Sequence, residues 1–366
     1  MPYLDFKLPS YPCKSDMWDR LAIETRPIVV YGMGNGADKL IKRFDKYGIK
    51  IADFFASDGF VRGHSFHGMR VKSFSEIKES YNDFVIVLSF ASNRAEVLDM
   101  LIEMNESFEM YIPDMPVANE EEYFDREFYN KNYSEIVKAH NSFADADSKN
   151  AYAAMINYKL TGKMEYLLGA YSKAEEIYSL MPKENIRVAI DAGAYNGDTA
   201  REMKTHFPNL EKIYAIEPDR RNFKKLSIYS EAETQIEIQT INAAVWCECA
   251  LGELSDSGNR NSTLSATASF EHKETEVPLI TVDSIAEEKI DYIKYDVEGA
   301  EYEALIGSDS VIRRDNPTML VSLYHRSRDI FYLVNMLSSA YPDYELRLRR
   351  TLCVPAWEIN LILTKN

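Results

Sequence analysis

The sequence predicts an α/β protein of two units with mostly parallel sheets, joined by a helical connector. Three observations predict it. Strand-like apolar runs alternate with amphipathic helical stretches over 27–112 and again from 186 onwards. Two of those runs, PIVVYG and VAIDAG, open through glycines straight into a helical pattern. Between the units, residues 113–185 are rich in Tyr, Glu and Ala and show no strand alternation.

In the first unit, PIVVYGMGNGADKLIKRFDKYG reads strand, glycine turn, amphipathic helix. IKIADFFASD is a second strand ending in Asp58, MRVKSFSEIKESY a short strand and helix, and DFVIVLSFASNRAEVLDMLIEM a strand then helix. Such alternation implies parallel strands with right-handed crossovers, so 1–112 reads as a small Rossmann-like domain. Gly32, Gly34 and Gly36 allow the backbone to approach a phosphate at the start of the 37–44 helix, and Asp58 is placed to accept from a ribose diol. A nucleotide or nucleotide-sugar is therefore the ligand expected here. Residues 113–185 read as several helices.

From residue 186, strands are expected at 187–191, 212–216, 236–246, 290–296 and 318–324, with helices at 197–206, 220–230, 301–313 and 328–339. The last two strands, 344–350 and 357–364, are separated by a short turn at Pro355. The second sheet is thus mostly parallel with an antiparallel C-terminal strand.

The 366 residues suffice for two to three domains of ~100–200 residues. Lys and Arg number 42 against 58 Asp and Glu, a net charge of −16. That balance repels nucleic-acid phosphate, no basic stripe offsets it, and it disfavours an anionic membrane surface. The first twenty or so residues lack an apolar core, so no secretory leader is expected, and the longest apolar stretch, around 84–91, is too short to span a bilayer. Cys247 and Cys249 would share one strand face, poor geometry for a disulfide, and with Cys13 and Cys353 they form no framework. The expectation is a cytoplasmic protein with reduced thiols. His64 and His67 have no third ligand nearby and read as structural.

The most informative stretch is 188–200, VAIDAGAYNGDTA: an apolar run ending in Asp191 that turns on Gly193 and Gly197. Behind it come YAIEPD at 214–219, NAAVW at 242–246, ITVDSI at 280–285 and YIKYDVEGAEYEAL at 292–305. This ordered series resembles the FkbM family of S-adenosylmethionine-dependent methyltransferases, from residue 186 to the C-terminus. Tyr195 and Asn196 stand where many methyltransferases have a third glycine. The first unit resembles, over a shorter stretch, the nucleotide-sugar-binding domain of some sugar acyltransferases.

The resemblance implies S-adenosylmethionine as cofactor, and the residue types fit its parts. Asp191, Gly193, Asn196 and Gly197 offer backbone donors and a polar turn to the amino-acid end. Glu217, 26 residues after Asp191, offers a carboxylate to the ribose diol. Asn242 is the candidate at adenine, with Phe223 and Val245 as walls. Asp296 and Glu298 lie where a strand becomes a loop and face the reactive sulfur, so Asp296 counts both as cofactor-binding and as catalytic. A hydroxyl acceptor needs a base, for which Asp296, Glu298 and His325 are the candidates. Arg326 and Arg328 are placed to hold substrate, and the polar segment 255–274, with Ser262, Thr263 and Ser265, reads as a lid. No metal cage is evident, so transfer is expected to be metal-independent, Asp296 and Glu298 leaving room for a divalent ion.

The expected activity is O-methylation of a sugar, glycan precursor or small natural product. Two rivals stand beside it. A nucleotide-sugar oxidoreductase or epimerase would need a Tyr-x-x-x-Lys near the first glycine turn, which the stretch from Tyr129 to Tyr133 does not supply. A non-catalytic binding protein would have no reason to keep Asp191, Glu217 and the DVEG block together.

Overall fold

The computed structural model describes residues 4–61, 63–118, 122–255, 263–265 and 274–365. Short apolar runs set the first sheet. After α1 (Met17–Ala22) come β1 (Ile28–Tyr31), α2 (Asn35–Tyr47), β2 (Ile51–Ala56), a small hairpin of β3 (Ser65–Phe66) and β4 (Met69–Arg70), then β5 (Lys72–Ser73), α3 (Phe74–Ser80), β6 (Val85–Leu88), α4 (Ala95–Ser107) and β7 (Met110–Tyr111). Every residue of β1 and β6 is buried, as a parallel sheet covered on both faces requires. The sheet order is β5-β2-β1-β6-β7, all parallel. At Gly36, a side-chain carbon would stand 2.0 Å from the Ser89 carbonyl oxygen, so α2 presses directly on the end of β6.

The connector folds as α5 (Arg126–Lys131), α6 (Tyr133–Ser142), α7 (Ala146–Thr161), α8 (Met164–Gly169) and α9 (Ala174–Ser179). α7 buries residues on nearly every face, the polar Ser148, Asn150 and Lys159 among them, so the helix is interior. Tyr152 and Tyr158 are wholly buried in it. Its one buried cation, Lys159, is matched by Asp114 at 2.5 Å.

The rest of the chain folds as β8 (Val188–Ala192), α10 (Asp198–His206), β9 (Lys212–Ile216), α11 (Arg220–Ala232), β10 (Glu237–Ile241), β11 (Ala244–Val245), β12 (Ala250–Ser255), β13 (Thr263–Ser265), β14 (Glu274–Ile280), α12 (Val282–Ile285), β15 (Tyr292–Tyr295), α13 (Glu301–Ile306), α14 (Asp309–Asp315), β16 (Thr318–Ser322), α15 (Asp329–Ala340), β17 (Glu345–Arg350) and β18 (Ile359–Thr364). Seven strands of this part form a second large sheet in the order β10-β9-β8-β15-β16-β18-β17, and β18 alone runs opposite to the other six. β8, β16 and β18 are buried along their whole length.

Two expectations are corrected, and a third lies largely outside the described residues. The 236–246 strand is two: β10 ends at Ile241, and β11 leaves for a separate four-stranded sheet, β11-β14-β12-β13. The 301–313 helix breaks at Gly307, where a side-chain carbon would meet the Trp246 carbonyl oxygen at 2.1 Å. That close approach is why glycine ends α13. The expected lid falls largely on residues outside those described, Ser262 among them, while Thr263–Ser265 form β13. Among the described residues no helix is long and apolar enough to cross a membrane.

Candidate active site

The carboxyl ends of β8, β9, β15 and β16 surround a cleft of about 370 Å³. One side is lined by Gly193, Tyr195, Glu217, Pro218, Asp219 and Ala243 to Val245. The other is lined by Lys294, Asp296, Val297, Glu298, Tyr324, Trp357 and Glu358, with Asp198, Thr199 and Glu202 of α10 across from them. Val117, from the stretch that follows the first sheet, closes one wall. It is held from two directions. Lys39 Nζ of α2 donates to the Pro116 carbonyl at 2.9 Å and the Val117 carbonyl at 3.4 Å, and Ala118 N–H donates to the His325 carbonyl at 3.1 Å.

Gly193 adopts φ +91°, and a side-chain carbon there would lie 1.9 Å from the Asp296 carbonyl oxygen. Glu217 accepts from Tyr195 N–H and from Asp219 N–H, both at 2.9 Å, and burial pushes its carboxyl up to about 8 despite those donors. β15 lies in register with β8 so that Lys294 neighbours Asp191. Asp191 is wholly buried, neither of its oxygens has a hydrogen-bond partner, and burial pushes it up to about 7 against the pull of Lys294.

Four acids and one histidine meet at the end of β15. Asp296 Oδ2 receives Lys294 Nζ at 2.8 Å and Oδ1 receives the Tyr324 hydroxyl at 3.0 Å. Burial works against its charge, but Lys294 and His325 hold it below the usual carboxylate range. Burial would lower the Lys294 pKa, and Asp296 with Asp191 raises it instead. Glu298 sits at φ +55° just before Gly299, its Oε2 is buried without a partner, and burial raises it to about 7 although His325 pulls it down. His325 is fully buried, with Nδ1 2.8 Å from Glu301 Oε1 and Nε2 3.5 Å from Asp296 Oδ1 and 3.6 Å from Glu298 Oε2. Its ring is turned so that neither nitrogen makes an aligned hydrogen bond. Burial alone would lower its pKa; Glu301, Glu298 and Asp296 outweigh that and carry it to about 10. Glu358, at φ +56° and raised by burial, completes the acidic group.

Of the residues singled out in the sequence, Gly193, Glu217, Asp296 and Glu298 line the cleft. Asp191 and His325 stand behind it, fully buried. Asn196 and Gly197 lie in the turn, outside the lining, and a side-chain carbon on Gly197 would meet Tyr229 Cδ1 of α11 at 2.6 Å, so that glycine serves helix packing. Asn242 spends its amide on the Glu217 and Pro218 carbonyls at 2.8 and 3.1 Å, and the three residues after it form the wall instead. Arg326 packs beside Gly299 and Arg328 over the Tyr332 ring, both outside the lining.

In the first unit, Asp58 is engaged, accepting from Ser75 N–H and its hydroxyl at 3.1 and 2.5 Å, and His67 pairs with Asp38 at 2.7 Å. Tyr195, Glu202, Lys294, Tyr324, Trp357 and Glu358 were not foreseen. Lys294 had a visible signal, since it lies two residues before Asp296 on one strand and so shares its face.

A parallel sheet whose carboxyl edge carries a glycine turn, a buried acid at the next strand end and a carboxylate group beyond can seat a nucleotide-type cofactor such as S-adenosylmethionine. Residues 191–345 match the methyltransferase FkbM domain, so the chain carries a methyltransferase domain of that type. Its fold is similar to the crystal structure of methyltransferase FkbM from Methylobacillus flagellatus KT, with TM-score 0.69 and 19% identity over 98% of this chain and 94% of that one. Far slighter likenesses are an rRNA methylase from Streptococcus thermophilus (TM-score 0.35, 12% identity, 52% of this chain and 93% of that) and Aeropyrum pernix fibrillarin with natively bound S-adenosyl-L-methionine (TM-score 0.32, 15% identity, 50% and 67%). No curated protein matches the chain.

Proposed function

We propose that the protein transfers the methyl group of S-adenosylmethionine to a hydroxyl of a sugar, glycan precursor or small natural product. The observation that carries this reading is Glu298, a cleft carboxylate whose Oε2 makes no hydrogen bond and lies 3.6 Å from His325 Nε2. A hydroxyl is a weak nucleophile until its proton leaves, and Glu298 is the group placed to take it. Asp296 is the poorer base, because Lys294 and Tyr324 already occupy its oxygens.

The residues present fit the cofactor. Gly193 leaves the backbone open where a side chain has no room, Ala243 to Val245 give an apolar wall, and Glu217 gives a buried carboxylate to a diol. Asp191 is a buried acid with unsatisfied oxygens behind that turn. S-Adenosylmethionine supplies an electrophilic methyl on a sulfonium, whose charge suits a cleft with several carboxylates and one lysine among its lining. The protein's own contribution is alignment and exclusion of water. In this reading 186–366 carry the transfer, 113–185 are the connector, and 1–112 are a nucleotide-binding-type unit.

The test is release of S-adenosylhomocysteine on a panel of glycosides, UDP-sugars and small polyols, beside amines and carboxylic acids. Turnover confined to hydroxyl compounds, with kcat falling in Glu298→Gln while cofactor affinity holds, supports the reading. Turnover only on amines or acids overturns it.

A further inference from the structure

We propose that Glu358, set beside Trp357 in the cleft wall, selects the acceptor by charge: a hydroxyl compound bearing an ammonium is preferred, an uncharged one is taken, and one bearing phosphate or carboxylate is refused. This narrows the substrate class of the cleft and rests on the hydroxyl reading of it.

The turn that joins β17 to β18 is held in an uncommon shape. Among the described residues, five other than glycine adopt positive φ, and three of these, Tyr195, Glu298 and Glu358, line the cleft. An L side chain rarely adopts that backbone, and residues held in it gather where a ligand is gripped. Val354 and Ser92 exchange backbone hydrogen bonds at 2.7 and 2.9 Å, which ties the turn to the loop after β6. Arg350 donates to the Cys353 carbonyl at 3.1 Å, the Cys353 thiol to the Trp357 carbonyl at 3.0 Å, and the Asn360 amide to the Glu358 carbonyl at 3.1 Å. These bonds fix the backbone only. The Glu358 carboxylate itself has neither a hydrogen bond nor an ion pair among the described residues, and it reaches solvent through the cleft.

The charge of the walls is one-sided. Seven carboxylates line the cleft against a single lysine among the described residues. Lys294 Nζ is spent on Asp296 Oδ2 at 2.8 Å and Thr199 Oγ1 at 3.3 Å. The charged ring of His325 lies behind the wall, fully buried among Glu301, Asp296 and Glu298. Arg326 and Arg328 are outside the lining. No cation of the described lining is left to receive a phosphate, and the one net positive charge of the cofactor is too little to reverse the sign. Burial raises the Glu298 and Glu358 carboxyls, and the charge of Asp296 raises both further against the pull of His325. An entering anion would add to that repulsion, whereas an ammonium would relieve it. Trp357, in the same wall, adds apolar area and an aromatic ring of the kind that attracts an ammonium.

The experiment is calorimetry of full-length protein loaded with S-adenosylhomocysteine, at low ionic strength. The probes are glucosamine, glucose and glucuronic acid, with the matching galactose and mannose series; each series shares a ring and differs in charge. In a series that binds, the amino sugar should bind at least about tenfold more tightly than the uronic acid, with the neutral sugar between them. Added salt should shrink that ratio. Glu358→Lys should bring it to one or below, Glu358→Gln should lower it at least about threefold, and Glu358→Asp should keep it. S-Adenosylhomocysteine binding and thermal unfolding show which variants still fold. Uronic acids binding as tightly as amino sugars, no sugar of any series binding, or a ratio unchanged in the folded lysine or glutamine variant overturns the proposal. Turnover with S-adenosylmethionine is then read separately. A methyl group found only on nitrogen would overturn the hydroxyl assignment and leave the charge selection standing.

Discussion

Gly193 and Asp296 meet backbone to backbone: a side-chain carbon on the glycine would lie 1.9 Å from the aspartate carbonyl oxygen. Asp296 N–H donates to the Ala192 carbonyl at 3.0 Å, so the loop after β8 and the loop after β15 are fastened together where the cofactor turn and the carboxylates must adjoin.

Gly193→Ala should therefore separate two strand ends whose contact is rigid backbone. A lower melting temperature and loss of S-adenosylhomocysteine binding by at least about 100-fold, roughly 3 kcal/mol, are expected. Gly197→Ala should be milder, about 1–2 kcal/mol of backbone strain at φ +85°, because its obstacle is the Tyr229 ring, which can swing. Thermal unfolding and calorimetry of the pair check the order; a harsher Gly197→Ala would contradict it.

Glu217→Ala removes the acceptor proposed for the ribose diol and the anchor of Tyr195 N–H and Asp219 N–H. Cofactor affinity should fall by about 100-fold or more, since hydrogen bonds to a charged group are worth roughly 1.5–3 kcal/mol each. Glu217→Gln keeps the shape and loses the charge, so it should fall between the two in titration calorimetry.

The same residue sets a pH dependence. Burial pushes the Glu217 carboxyl up to about 8 in the free protein. Donation from a diol favours the ionised form, so binding expels a proton below about pH 8. Cofactor affinity should rise with pH up to that point, by no more than about tenfold per unit, then level. Stability moves the other way. The unfolded side chain ionises near about 4.3, so the contribution is fully present below that pH and is lost as pH rises through 8. Calorimetry in buffers of different ionisation enthalpy and melting curves across that window test both, and Glu217→Gln should flatten them.

In the connector, Lys159 and Asp114 are a buried pair, the lysine 1% and the aspartate 9% exposed. Lys159→Met leaves an uncompensated buried charge on Asp114 and should cost about 3–5 kcal/mol. Restoring balance with Lys159→Met and Asp114→Asn together should recover part of it. Urea unfolding of the single and double variants reads the difference.

The two large sheets were legible in the sequence because most of their strands are short buried runs bounded by glycine, proline or acid, whereas the separate sheet of β11 to β14 was not foreseen. Helix 220–230 was likewise visible, as α11 is opened by Asp219 accepting from Arg221 and Asn222 N–H. The 236–246 strand and the 301–313 helix were joined in error. What divides the helix is a tertiary approach, Gly307 against the Trp246 carbonyl, that leaves only an ordinary glycine in the sequence, and the strand parts at Asn242, whose amide turns to the Glu217 and Pro218 carbonyls. In the site, Glu217, Asp296 and Glu298 were readable because strand-end acids in series are unusual. Trp357 and Glu358 were not, since they reach the cleft from the turn before an antiparallel strand. Asn242 misled because an amide at a strand end looks the same whether it faces a ligand or two carbonyls.

The grip of Lys39 on the Pro116 and Val117 carbonyls has a practical side for anyone cutting this gene. A fragment starting at residue 186 would encode every position of the FkbM match and still arrive with one wall of its cleft missing, because Val117 comes from upstream and is held by a helix further upstream still. Transplanting residues 186–366 onto another carrier would move the strands and leave behind part of the mould that shapes the cleft.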